Sequence, residues 1–181
     1  AGEADSPRLA GLQKDLESAY DSRPATLAAA QQWLARLATS AAEIAGSFDV
    51  GNATEPESEA KWWAQALARQ CRGALDELTL FAPWLLLPAA PSGLGDFAVI
   101  GEVPTLRELA RLEVELLPAI VRRRDADATA GESGWLDELG RAITAASGRA
   151  NERLAAIESL ALQASELARM EYDFLYDKAS H

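Results

Sequence analysis

Nucleophilic or metal-assisted chemistry needs side chains that this sequence barely contains. Its single histidine, His181, is the last of 181 residues. A serine–histidine–acid triad or a histidine-built metal site is therefore not expected. The single cysteine, Cys71, can form no disulfide within the chain. As a nucleophile it would need a histidine or another activating group. As a small apolar residue on a helix face it needs nothing further. Carboxylates are abundant, and Glu113 with Glu115, or Asp137 with Glu138, flank apolar stripes. A di-metal bundle would add Glu-x-x-His to such acids, and no such spacing exists; solvated helix faces are the simpler reading. Gly93-Leu94-Gly95 lacks the preceding strand and following helix of a phosphate loop. No metal or cofactor is expected.

The five tryptophans are more informative. Their rings can stack on sugars, anchor a partner, or simply fill a core. Trp63 and Trp84 read as core residues. Trp62, Trp135 and Trp33, joined by Phe97 from the apolar stretch 94–100, form the candidate binding surface. Trp62 and Trp63 are adjacent, so at most one can point squarely into a core. The only basic cluster is Arg122, Arg123 and Arg124. It could hold an anion or a lipid headgroup, or it could complement the dipole at its own helix C-terminus.

A net charge of −11 opposes binding to nucleic acid or to an anionic membrane surface. Residues 1–7 are polar and acidic, so no signal peptide is expected. No stretch reaches the ~20 apolar residues of a membrane span. The most apolar run, Leu78 to Ala90, is interrupted by Pro83 and Pro88 and reads as a buried corner. A lone cysteine fits a reducing compartment.

These residues must be positioned by helices. The chain is 49 % hydrophobic with alanine prominent, and β-branched residues are sparse. Strict alternation of apolar and polar residues is missing. Five helices are expected. The first follows Ser6-Pro7 and carries Leu9, Leu12, Leu16 and Tyr20 on one face. The break at Asp21 to Pro24 starts the second, whose Leu27, Ala30, Leu34, Leu37, Ala41, Ile44 and Phe48 recur at heptad-like spacing. Thr54 caps a third, with the same spacing from Ala60 to Phe81. Residues 88–104 form an irregular Pro/Gly-rich loop.

Thr105 and Glu108 make a capping box for the fourth helix, which Pro118 should kink or break. A polar loop spans Asp125 to Gly134. The fifth helix then runs from about Trp135 to Tyr172, with a bend expected at Ser147-Gly148. The fold expected is all-α: an antiparallel bundle of about five helices, the two longest extending beyond a compact core.

The stretch Met170-Glu171-Tyr172-Asp173-Phe174-Leu175-Tyr176-Asp177-Lys178 is similar to the phrase that opens the glycoamylase-like domain of the cyclic β-1,2-glucan synthases. Leu78 to Leu85, followed by Pro104 to Leu109, resembles the region just upstream of that domain. The resemblance implies a large bacterial inner-membrane protein. A membrane-embedded glycosyltransferase there uses UDP-glucose, the glycoamylase-like domain follows, and a glycoside-phosphorylase-type domain lies further on. Residues 1–172 would be a helical module between transferase and middle domain, and 173–181 the start of the latter.

None of that family's catalytic elements falls on this chain, so the resemblance implies a soluble, cytoplasmic-side spacer that is not itself an enzyme. Its partners would be neighbouring domains of the same polypeptide, without membrane insertion. Two other functions stay open. One is a module binding β-glucan or protein through exposed tryptophans. The other is a glycosidase using two carboxylates on a helical scaffold.

Overall fold

The structure, a computed structural model, describes residues 6–21, 24–48, 55–99, 103–126 and 128–169. Within them are five α-helices and no strand: α1 (Ser6–Asp21), α2 (Leu27–Ser47), α3 (Glu55–Phe81), α4 (Leu106–Asp125) and α5 (Ala130–Ala168). Two 3-10 segments, Pro83–Leu86 and Ser92–Val99, join α3 to α4. The expected loop at 88–104 therefore carries an eight-residue 3-10 segment, Ser92–Val99, kinked at Leu94. No described helix is long and apolar enough to cross a membrane.

Threonines begin three of the helices. Thr26 caps α2: its Oγ1 accepts the Ala29 amide at 3.1 Å. The expected capping box of α4 is present, with the Thr105 amide donating to Glu108 Oε2 at 2.6 Å. A second box, Thr129 with Glu132, starts α5 five residues earlier than the Trp135 start read from the sequence. Gly131 and Gly134 in its first turns disguise it, because glycine is a poor helix former. The cap expected at Thr54 lies outside the described residues, as do residues 170–181.

Neither weak point read from the sequence breaks its helix. Pro118 lies inside an unbroken α4. It is exposed, as is Val114 one turn back, so the carbonyl that loses its partner is on the water side. At Ser147-Gly148, α5 also continues without a break. There the serine hydroxyl bonds to the neighbouring helix α4.

The helices enclose two cores. In the first, Leu136, Leu139, Ile143, Ala146 and Ala150 of α5 pack on Leu109 and Ile120 of α4, with Trp84 and Leu94 from the 3-10 segments closing one side. Each buried leucine or isoleucine stabilises by about 1.5–3 kcal/mol. In the second, Leu12 of α1, Leu37, Ala41 and Ile44 of α2 and Cys71 of α3 come together. α2 feeds both, through Leu27 at one end and Leu37 to Ile44 further along.

Two arginines of α5 tie the helical hairpins to each other. Arg149 Nη1 donates to the Leu80 carbonyl at 2.6 Å, satisfying an orphan acceptor at the α3 C-terminus. Arg153 pairs with Glu77 at 2.9 Å and lies 5.2 Å above the Phe81 ring. Beyond Leu154 every described residue of α5 is exposed.

Candidate binding surface

Heptad spacing decides where each tryptophan points. Trp62 and Trp63 sit between Ala60 and Ala64, off the stripe that carries Cys71. Both are exposed, at 55 % and 60 %. Trp63 is thus not the core residue the sequence suggested: two bulky rings at adjacent positions both miss the narrow alanine-lined contact with α2. Their rings meet edge-to-face, with centroids 4.7 Å apart and planes at 84°. Such a pair presents a rigid, two-sided apolar step to solvent.

The other candidates are committed elsewhere. Trp135 is half-buried against the first core, and its Nε1 donates to the Pro88 carbonyl at 3.0 Å. It pins the connecting segment to the first turns of α5. Phe97 packs on the same core. Leu94, from the same apolar stretch, is 1 % exposed. Trp33 packs on the second core and reaches the Asp15 carbonyl at 3.4 Å, holding α1 to α2. The four expected residues therefore divide between two cores and a free surface; only Trp62 is open, and its neighbour there is Trp63.

Trp84 is buried, as its sequence context suggests, but its Nε1 finds no acceptor among the described residues. Two of the three stretches that carry the family resemblance meet at this point; the third, Met170 to Lys178, lies outside the described residues. Leu78 to Leu85 ends α3 and delivers Trp84, and Pro104 to Leu109 caps α4 and delivers Leu109 to the same core. In this chain both stretches serve the fold.

The arginine cluster is engaged in holding the end of α4. Arg122 Nε donates to the Pro118 carbonyl, and Arg123 to the carbonyls of Ala126 and Gly93. Arg124 binds Asp125 at 3.1 Å and Asp137 at 3.3 Å. Hydrogen bonding to Asp125, then to Asp137, raises the Arg124 pKa further above its usual range. Cys71 is buried, and burial pushes its thiol pKa up. That favours the unreactive thiol over the thiolate.

Among the acids, Glu113 Oε1 accepts from Thr144 at 3.2 Å and Asp137 from Arg124. No group of three metal-ligating side chains converges among the described residues. A groove of about 600 Å3 lies between α2, α3 and α5, edged by Gln31, Gln32, Asp76, Thr79 and Arg149. Thr79 and Arg149 already bond backbone carbonyls, which leaves two amides and a carboxylate facing the opening. Residues from three helices share no motif, so nothing in the sequence marks this groove. Compared with family profiles, with characterised proteins and with solved structures, the chain matches none.

Proposed function

We propose that this chain is a non-catalytic helical spacer of a cyclic β-1,2-glucan synthase, the kind of protein that polymerises glucose from UDP-glucose. It would hold the membrane-embedded transferase and the glycoamylase-like domain at a set distance and angle, on the cytoplasmic side of the inner membrane. The observation that carries this reading is α5. Its 39 residues run about 58 Å at ~1.5 Å per residue. The first half is locked between α4 and the 3-10 segments, and Arg149 and Arg153 fix its angle to α3. The second half projects clear of the bundle. A helix clamped at one end and free at the other transmits orientation over its whole length.

Solution scattering tests this, on the chain beside a version extended through the following domain. One fixed orientation between the two parts is the expected result. Independent tumbling would remove the spacer role.

The exposed Trp62–Trp63 pair favours a second reading, a module that binds glucan or protein. Tryptophan emission that shifts saturably with linear β-1,2-glucan would establish it for glucan; no shift at millimolar sugar would eliminate it.

A further inference from the structure

We propose that the projecting half of α5 pairs with its counterpart in a second copy of the chain, antiparallel and about a twofold axis. The face involved is already an interface lower down the helix. Leu139, Ile143, Ala146 and Ala150 lie on the side of α5 that packs on α4 and the 3-10 segments. The last hydrogen bond across that interface joins Asn151 Nδ2 to the Ala110 carbonyl, one turn inside α4, and beyond Leu154 every described residue of α5 is exposed. The heptad does not stop. Ile157, Ala161, Ala164 and Ala168 continue it, widened by Leu160 and Leu167. On a helical wheel these six residues and Leu154 span an apolar arc of roughly 140°, into which one charged residue, Arg153 at the start of the arm, intrudes. Ile157, Leu160 and Leu167 are 50 %, 64 % and 61 % exposed. A stripe this wide on a helix standing alone in water is the pattern of an unfilled helix–helix contact.

A twofold axis near residues 162 and 163 satisfies both shape and charge. It sets Ile157 against the partner's Ala168, and Ala161 against the partner's Ala164. Large meets small and small meets small, so the backbones can approach closely. Leu160 then lies beside the partner's Leu167 along one edge. On the other edge Glu158 faces the partner's Arg169, and symmetry repeats the pair. In an antiparallel pair like edges meet, so Glu158 and Arg169, which share one edge of the helix, pair across the interface, one from each copy. The described part of the arm is about 24 Å long and roughly 10 Å wide. Pairing two of them buries on the order of 1,000 Å2, the threshold for a specific interface. An interface this small makes the dimer weak and concentration-dependent. This inference is independent of the spacer reading.

Sedimentation equilibrium of the chain over a range of concentrations tests it, with three single variants and one double variant. The parent chain should show a monomer–dimer equilibrium. Ala164→Glu places two charges at the axis and should raise Kd at least about tenfold. Its helicity should not change, since the residue is exposed, and its melting temperature should match the parent's at concentrations below the parent's Kd. Glu158→Arg and Arg169→Glu should each weaken the dimer by about twofold to tenfold, and the double variant should recover it. A chain that stays monomeric to about 1 mM overturns the proposal, and this includes the case where another part of the chain covers the stripe. A dimer indifferent to Ala164→Glu overturns it too, because the contact would then lie elsewhere. Single reversals without effect, or no recovery in the double variant, would overturn the antiparallel register.

Discussion

Ser147 and Glu113 meet across the α4–α5 interface: the Glu113 amide donates to the Ser147 hydroxyl at 3.0 Å. The same hydroxyl donates to the Leu109 carbonyl at 2.8 Å. In a regular helix the amide of Glu113 would serve the carbonyl of Leu109, four residues back. The serine therefore sits across one rung of α4, at a position that is 1 % exposed. Thr144 to Glu113 and Asn151 to Ala110 continue this polar seam on either side. Ser147→Ala should cost about 1–3 kcal/mol, the penalty of leaving buried backbone groups short of a partner. Denaturant unfolding measures it. A loss under about 0.5 kcal/mol would mean that α4 closes the rung by itself.

Trp84 poses the opposite case, a buried donor without an acceptor among the described residues. Its ring fills the first core beside Leu109 and Leu136, but the indole N–H adds only a desolvation cost. Trp84→Phe removes the donor and keeps an aromatic ring, so it should be close to neutral in stability. Trp84→Ala should cost about 3–5 kcal/mol through the cavity it opens. If Trp84→Phe proves nearly as damaging as the alanine variant, the volume of the indole, and not its N–H, decides the site.

The helices and their inward faces were legible because a 3-to-4 residue spacing has only one structural meaning over twenty residues. Leu37, Ala41 and Ile44 follow it into one core, and Leu139, Ile143 and Ala146 into the other. The start of α5 was obscured by two glycines next to a good capping box. Pro118 leaves α4 unbroken because its penalty depends on which side of the helix it occupies, and spacing alone does not weigh that. The surface was harder still. Trp135 and Trp33 look as free as Trp62 in the sequence, yet each spends its N–H on a carbonyl in a different segment. Such long-range pairings leave no local trace.

Glycines inside helices allow a gain instead of a loss. A Cβ built on Gly140 would lie 3.4 Å from Leu117 Cδ1, an ordinary contact, and one on Gly73 would meet nothing within 4 Å. Both sit inside helices, where alanine is favoured by about 1 kcal/mol. Gly140→Ala and Gly73→Ala should each raise stability by about 0.5–1 kcal/mol, additively, since they lie in different hairpins. Gly93 differs: its Cβ would come within 2.5 Å of Glu132 Oε1. Gly93→Ala must push that carboxylate away from the Thr129 amide, and it should lower the melting temperature.

The two capping boxes carry a pH dependence. Hydrogen bonds from the Thr105 backbone and side chain hold the Glu108 pKa below its ordinary 4.5. Thr129 does the same for Glu132, with Arg123 adding a smaller effect. A carboxyl whose pKa is lowered by folding stabilises the fold above its unfolded pKa. That contribution fades as pH falls through the folded value, so the window lies below about pH 4.5. The double variant Glu108→Gln, Glu132→Gln keeps the boxes but removes the titration. Its melting temperature should track the parent chain less steeply below that pH, and proton titration by NMR should place both parent midpoints under 4.5. Parallel acid limbs for the two proteins would show that the boxes do not depend on charge.

Trp62 and Trp63 separate the two functional readings at little structural risk. Their exposure means that neither Trp62→Ala nor Trp63→Ala should change stability by more than about 0.5 kcal/mol. In acrylamide quenching these two should be the most accessible of the five tryptophans, and the double variant should lose most of the quenchable emission. With a spacer, linear β-1,2-glucan leaves emission and melting temperature unchanged in parent and variant alike. With a binding module, glucan shifts the parent's emission and the double variant abolishes the shift. A shift that persists in the double variant would have to come from Trp33, Trp84 or Trp135. It would then report a rearrangement of the cores those rings occupy, with the sugar seated somewhere other than on the exposed pair.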